Sequence, residues 1–328
     1  MPAHYDNPFT LFLLWILYLA KNDGRRYALS NVVEATFDSQ EQRILFRQFF
    51  QYVPELINSP DFHSFTPRST ELQLIPKAKN PGRITILFSA DSIYFKQKLL
   101  KFNRDALLES DPDLLTVHVN LIDPDPICLR ELDELCKHQS IHGSISSSHD
   151  YFESDAGIKQ NNPLKTHRLH TFFASNRFII LPTVMALHQT PIIVLDVDLE
   201  FPKGLNALAQ FYLDDAGYDV AIRQPRRRRA PGFDYWLHES AYKNTGQGLA
   251  FVSILSKYIR FFFENKEPLW TLDQCAFNAT FTHFEQTFEQ IYIRDLGTQA
   301  MRDHHGLVFH RGGRDQLIGL RDYFFANS

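Results

Sequence analysis

PIIVLDVDLEFP, residues 191–202, opens with the unbroken apolar run Ile192 to Leu195 and then places two aspartates, Asp196 and Asp198, one residue apart. A continuous aliphatic run without polar alternation suits a parallel strand covered on both faces. Ligands of open α/β sheets bind outside the carboxyl ends of such strands, so acids placed there face the expected crevice. If the strand runs on through residue 198, side-chain alternation puts both carboxylates on the same side. Two carboxylates so placed attract a hard divalent cation, Mg2+ or Mn2+, which can bridge a diphosphate and neutralise charge on a departing nucleotide. A polar strand end with no further role is the plain alternative.

Upstream of this strand, RITILFS at 83–89 and LLTVHVNL at 114–121 read as buried strands. A helical stretch around Tyr94 to Leu108 lies between them, which gives a βαβ rhythm and an α/β class. Between Lys137 and Pro163 the chain is rich in Ser, His, Asp and Asn, and it reads as a surface loop or lid. A helical pattern follows through Phe172, Phe173, Arg177, Phe178 and Ile179, with Pro182 as a kink or as the first residue of the next helix. No internal repeat, GxGxxG or P-loop is present.

The N-terminal portion reads differently. FTLFLLWILYLA at 9–20 is apolar, and Ser39 with Gln42 makes a capping-box pattern ahead of Ile44, Leu45, Phe46, Phe49 and Phe50. Pro60, Pro67, Pro76 and Pro81 then interrupt a Ser/Thr-rich stretch. The expected organisation is a helical segment over 1–57, a linker over 58–82 and a catalytic domain over 83–328.

Composition narrows the class. With 44% hydrophobic and 22% charged residues the chain is an ordinary globular one and not a disordered one. The net charge of −4 gives no overall attraction to nucleic acid or anionic lipid. Cys128, Cys136 and Cys275 form no CxxC pair, so they read as free thiols in a reducing compartment and not as a zinc site. The 29 phenylalanines read chiefly as core material. Phe9 to Ala20 is shorter than the ~20 residues of a spanning helix and lacks basic residues before it. A cytoplasmic chain is expected, with Phe9–Ala20 a buried helix in preference to an interfacial one at a membrane face. The one dense basic cluster, Arg226–Arg229, sits between Pro225 and Pro231. It reads as a solvated loop or as a phosphate-binding loop for a donor or a lipid-linked acceptor. Nucleic acid stacking on the nearby Phe233, Tyr235 and Trp236 is the disfavoured option.

Four segments occur in an order that resembles GT-A glycosyltransferases: FFASNRFIILPTVMALHQTPIIVLDVDLEFPKGL (172–205), NTGQGLAFV (244–252), LDQCAFNATF (272–281) and VFHRGG (308–313). The last is similar to the HxxG element of glycosyltransferase family 8, and the resemblance spans about residues 83–315. It implies a GT-A fold, a Rossmann-like and mostly parallel sheet flanked by helices. It also implies that Asp196, Asp198 and His310 bind the metal and that Asn244 and Gly246 line a donor-sugar pocket. Asp273 and Gln274 would lie near the reacting carbon, Arg177 would reach the donor, and Ser89, Ala90 and Asp91 would meet base and ribose. The lysine and the Pro-Trp pair that follow HxxG in the family are absent, and Arg311 or Arg314 would take the lysine's place on the diphosphate.

Each assignment has a plainer reading. Asp273 could cap a helix, Asn244 and Gly246 could be turn residues before a strand GLAFV, and Arg177 could be an ordinary ion-pair residue. The function implied is metal-dependent transfer from a nucleotide-diphosphate sugar, a UDP-sugar foremost, to a glycan, lipid-linked or protein acceptor, as in surface polysaccharide synthesis. An inverting reaction would need Asp273 or Asp295 as base, whereas a retaining one would leave Gln274 to position the sugar. The alternative is a catalytically silent sugar-nucleotide or glycan-binding module acting through protein partners, against which the intact aspartate pair stands.

Overall fold

The structure, a computed structural model, describes residues 51–68, 72–75, 82–148, 151, 163–214, 217–223, 236–266, 268, 271–287, 291–295 and 309–310. Residues 1–50, with the apolar run Phe9–Ala20, and the Arg226–Arg229 cluster lie outside the described residues.

The apolar runs become strands β2 (Ile84–Asp91), β3 (Leu115–Ile122) and β5 (Ile192–Leu195), preceded by a short β1 (Gln73–Leu74) and joined by β4 (Ile141–Ser146). After β5 come β6 (Leu199–Glu200), β7 (Val220–Arg223), β8 (Trp236–Tyr242), β9 (Ile293–Asp295) and β10 (Phe309–His310). Eight strands form one sheet in the order β1-β4-β3-β2-β5-β8-β7-β9, and β6 pairs with β10 separately. The pairs β4-β3, β3-β2 and β2-β5 are parallel, which makes a Rossmann-like half. Beyond β5 the strand β8 runs antiparallel to both its neighbours, and β9 is parallel to β7.

Helices cover both faces, and every residue of β3 and β5 is buried. A short α1 (Pro60–Ser64) precedes the sheet. After β2, one turn at Ser92–Tyr94 and a π-helical stretch Phe95–Leu100 lead into α2 (Lys101–Leu108). Then follow α3 (Pro126–Leu135), α4 (Pro163–His188), α5 (Gly204–Asp214), α6 (Gly246–Asn265) and α7 (Leu272–Gln286). Leu107, Leu132, Leu205 and Leu208 pack with Ile86, Val117 and Ile193 on one face. Phe172, Phe178, Phe251, Phe262 and Phe277 pack with Leu87 and Val194 on the other, so these phenylalanines serve the core as expected.

Residues 51–65 dock on this second face. Ile57 and Phe62 join its core, and the Tyr258 hydroxyl accepts from Val53 N at 3.0 Å and donates to the carbonyl of Gln51. Tyr52 and Thr282 share a hydroxyl hydrogen bond at 2.9 Å. Within the stretch expected as a linker, α1 and β1 are regular, and β1 closes the edge of the sheet against β4.

Three expectations are corrected. The Ser/His-rich segment 137–163 is not all loop, because Ile141–Ser146 is a sheet strand paired along its length with β3. Its polar residues are tolerated there because they find hydrogen-bond partners on the neighbouring strand, as Ser144 does on Asn120 at 2.9 Å. GLAFV is helical and not a strand: Thr245 Oγ1 caps α6 by accepting from Gly248 N at 3.0 Å, and Phe251, Val252, Leu255 and Ile259 then recur at helical spacing. The strand at 191–198 stops at Leu195, so Asp196 and Asp198 lie on the turn that follows it. Pro182 starts no new helix and lies inside α4. The carbonyl of Ile179, one turn before it, receives Ser256 Oγ at 2.9 Å and Arg260 Nη2 at 3.2 Å, which ties α4 to α6 where proline weakens the helix ladder.

The same face turns polar toward β3 and β4. His118 is fully buried, with Nδ1 2.9 Å from His188 Nε2 and Nε2 2.8 Å from Ser144 Oγ. The His142 ring stands edge-on to His188 at 5.1 Å. Burial, followed by the neighbouring imidazoles, holds His118 well below the usual histidine range, and burial with His142 lowers His188 to about 4.

A depressed histidine favours the fold while neutral. That contribution is complete above the ordinary value of 6.5 and is lost as pH falls toward 4. Stability to heat or urea should therefore fall steadily as pH drops from 6.5 to 4, with about 3 kcal/mol from His188 by the size of its shift. His188→Gln should flatten that slope, and an unchanged slope would show that the imidazole charges without cost in the folded protein.

Candidate active site

Several of the sequence-predicted residues lie at the carboxyl edge of the parallel strands. β2 ends in Ser89, Ala90 and Asp91, and β5 runs into Asp196 and Asp198. The backbone N–H of Asp196 donates to the His238 carbonyl at 2.9 Å, which anchors the turn to β8. Arg177 reaches this turn from the middle of α4. One of its guanidinium nitrogens, Nη1, pairs with Asp196 Oδ1, and Nη2 lies 3.4 Å from Asp273 Oδ2. Arg177 therefore joins β5 to the start of α7 through two carboxylates far apart in the chain.

Arg177 is 8% exposed and Asp273 7%, so the pair is buried. Burial lowers the guanidinium's pKa, against the pull of Asp273, Tyr242 and Asp198. Burial raises that of the Asp273 carboxyl, opposed by Arg177 and by backbone N–H groups. Asp273 Oδ1 also accepts from Gln274 N at 2.9 Å, but the N-cap position of α7 is Thr271, so Asp273 sits inside the first turn of the helix and is not its N-cap. Thr271, two residues earlier, has φ +78°, a left-handed conformation that disfavours a β-branched side chain and stores strain at this turn. Arg177 Nε and Gln274 Oε1 are buried with no hydrogen-bond partner among the described residues. Such unpaired polar atoms are expected at a ligand site more than in a finished core.

Other predicted residues are placed less simply. Ala90 is 3% exposed and packs in the core on the α2 and α5 side, so only its backbone faces the crevice. Asp91 Oδ1 accepts from Tyr94 N at 2.7 Å and caps the turn after β2. Asn244 and Gly246 are not brought to the site. β8 is antiparallel to β5 with Tyr242 opposite Ile192, so the turn after Tyr242 lies at the other edge of the sheet from Asp196. Asn244 lies on the bend that leads to the Thr245 cap, and Gly246 is the first residue of α6, so the turn precedes a helix and not a strand. His310 pairs through its backbone with Leu199, beside Asp198, while its side chain is not described. Arg311 and Arg314 lie outside the described residues, and of Asp295 only the backbone in β9 is described.

The sequence reading missed Asn120, Ser146 and Asn176. All three are buried and polar: Asn120 and Asn176 each reach Ser89 and Ser146, and a polar position within the otherwise apolar run 114–121 was the available signal for Asn120. Among the described residues no group of three metal-ligating side chains is assembled. The donors that fit a hard cation are the carboxylates of Asp196 and Asp198, with the backbone bringing His310 alongside.

No protein-family model matches the chain, and no curated protein matches it in sequence. Among solved structures the chain is similar to mouse xyloside xylosyltransferase 1, at 12% identity and TM-score 0.36, covering 70% of this chain and 97% of that one. It is similar to the glycosyltransferase GlyE of Streptococcus pneumoniae at 14% identity and TM-score 0.36, over 66% of this chain and 45% of the other. It also resembles the bifunctional glycosyltransferase WbbM at 13% identity and TM-score 0.41, over 68% of this chain and 40% of that one. The chain thus spans less than half the length of the last two. Identities and scores this low say nothing about activity, and the fold rests on its own strand order. That order is α/β, a Rossmann-like sheet flanked by helices in the GT-A arrangement expected from sequence.

Removing Arg177 would strand two carboxylates around a buried space. Arg177→Met should lower unfolding stability by about 3 kcal/mol, the usual cost of breaking a buried pair from one side. Arg177→Met combined with Asp273→Asn should recover part of that loss, and full additivity in chemical denaturation would show that the two do not interact.

Proposed function

We propose that this chain is a metal-dependent glycosyltransferase that transfers a sugar from a nucleotide-diphosphate sugar. The observation that carries this reading is the bridge of Arg177 between Asp196 and Asp273 at the carboxyl edge of the parallel strands, where α/β sheets bind ligands. Asp196 and Asp198, with His310 as third ligand, would hold Mn2+ or Mg2+. Once bound, the ion supplies positive charge for the donor diphosphate and the nucleotide that leaves.

The chain's own residues define the rest. Arg177 is fixed by a carboxylate on each side, so it presents a positive charge without reorganising as negative charge grows on the leaving group. Asp273 is held at the start of α7 by Arg177, and its raised pKa would suit a group that takes a proton from an acceptor hydroxyl. In a retaining reaction Gln274, with its unpaired Oε1, would instead hold the acceptor or the sugar by accepting a hydroxyl hydrogen. A UDP-sugar is the foremost donor, and a glycan, lipid-linked or protein acceptor at a cytoplasmic membrane face completes the proposal.

Nucleotide release from UDP-, GDP-, ADP- and CMP-sugars, with and without Mn2+, tests this directly. Wild type should release one nucleotide only with metal, and Asp198→Ala should lose at least a hundredfold of that rate, the scale of one strong electrostatic contact to a transition state. Release that survives without metal and in the variant would count against the assignment of Asp198. No release and no thermal stabilisation by any donor would count against the enzyme reading as a whole.

A further inference from the structure

Four polar side chains close a ring at the carboxyl ends of β2, β3 and β4. Asn120 Nδ2 lies 3.1 Å from Ser89 Oγ and 2.9 Å from Ser146 Oγ. Asn176 Nδ2, from α4, lies 3.1 Å from the same two hydroxyls. Each serine oxygen thus takes two amide N–H groups, which fills both of its lone pairs. The hydroxyl hydrogen of each must then point out of the ring. Ser146 is 1% exposed, but Ser89 is half-buried near the carboxyl end of β2.

Counting hydrogens sets the direction of this ring. As placed, the Asn176 amide leaves only its carbonyl, Oδ1, buried and unpaired. The structure sets Nδ2, and not Oδ1, against both serine hydroxyls. The Asn120 amide spends both hydrogens on the serines, so its Oδ1 accepts from the Ser144 hydroxyl at 2.9 Å. Ser144 in turn has no hydrogen left for His118, so His118 Nε2 must carry one, at 2.8 Å, and its Nδ1 must accept from His188 Nε2 at 2.9 Å. The file therefore runs one way, His188 to His118 to Ser144 to Asn120 to Ser89, and both imidazoles are neutral through burial.

We propose that Asn120 and Asn176 are positioning residues that lock the Ser89 hydroxyl as a hydrogen-bond donor, so that the donor nucleotide must present an acceptor oxygen to it. Donor-only geometry rejects an amino group at that place, because two donors facing each other leave both unpaired. This rests on the nucleotide-sugar reading of the crevice. The acceptor oxygen is either a nucleobase carbonyl or a diphosphate oxygen, and the two share this chemistry.

The test is calorimetric affinity of the full chain, with Mn2+, for UDP and for uridine. Ser89→Ala should weaken UDP binding roughly three- to tenfold, the worth of one hydrogen bond. Asn176→Asp should cost about as much, because the carboxylate it introduces takes the Ser89 hydrogen for itself. In the double variant the two losses should not add, whereas simple charge repulsion from Asn176→Asp would persist when Ser89 is already alanine. Loss seen with uridine as well as UDP places the acceptor on the nucleoside, and loss with UDP alone places it on the diphosphate. Full additivity, or unchanged affinity in Ser89→Ala, overturns the proposal while leaving the nucleotide reading intact. Failure of wild type to bind either ligand, or any other nucleotide, overturns both. Nitrogen-15 spectra of the imidazoles in unliganded wild type give a separate readout that needs no variant to fold: His118 should be the Nε2–H tautomer, and the Nδ1–H tautomer would reverse the file and overturn the proposal.

Discussion

Arg177 has its guanidinium between Asp196, on the turn after β5, and Asp273, in the first turn of α7. A buried cation needs anions about it, and a buried anion needs a cation, so neither the turn nor the helix start is free to move independently of α4. The guanidinium also lies over the Phe178 ring at 4.9 Å, which continues into the apolar core beneath. In this way one side chain joins three elements that the hydrophobic core alone would hold with less angular definition. The left-handed Thr271 and the short connection into α7 are tolerable because this pairing over-determines the position of Asp273.

The two faces of the sheet handle burial in different ways. Toward α2, α3 and α5 the strands present Ile84, Ile86, Phe88, Val117 and Val119 to leucines, a dry and non-directional contact. Toward α4 the strands β2, β3 and β4 present Ser89, Asn120, His118, Ser144 and Ser146, which are joined by hydrogen bonds. A hydrogen-bonded layer specifies register and rotamer more narrowly than an apolar one, but it is costly wherever one partner is missing. That layer ends beside the crevice, where polar groups with a fixed direction are useful to a ligand.

The antiparallel strand β8 has a consequence for the site that no local pattern announces. Because it runs against β5, its first residues lie beside Asp196 and its last beside Ile192. The His238 carbonyl thereby meets the aspartate turn, and the bend at Asn244 and Thr245 goes to the far edge, where Thr245 caps α6 and donates to Asp219 at 2.6 Å. Gly248 is required there for a local reason: a Cβ would fall 2.2 Å from the Lys243 carbonyl.

The sequence by itself determined the βαβ rhythm, the presence of strands within 83–89, 114–121 and 191–198, and the arrival of Asp196 and Asp198 at a carboxyl strand end, while the structure set their bounds at 84–91, 115–122 and 192–195. Continuous apolar runs need cover on both faces wherever they occur, and that need is written within a few residues. Arg177 and Asp273 were legible as residue types in a resembling order, but not as partners, since they are 96 residues apart. Only the tertiary structure decided that Ile141–Ser146 is a strand, that GLAFV is helical, and that Asn244 lies away from the aspartates. Each of those depends on what a segment meets across the sheet: a partner for Ser144, a core for Phe251, a direction for β8. Pairing direction and hydrogen-bond satisfaction are properties of neighbours distant in the chain, so local composition carries no record of them.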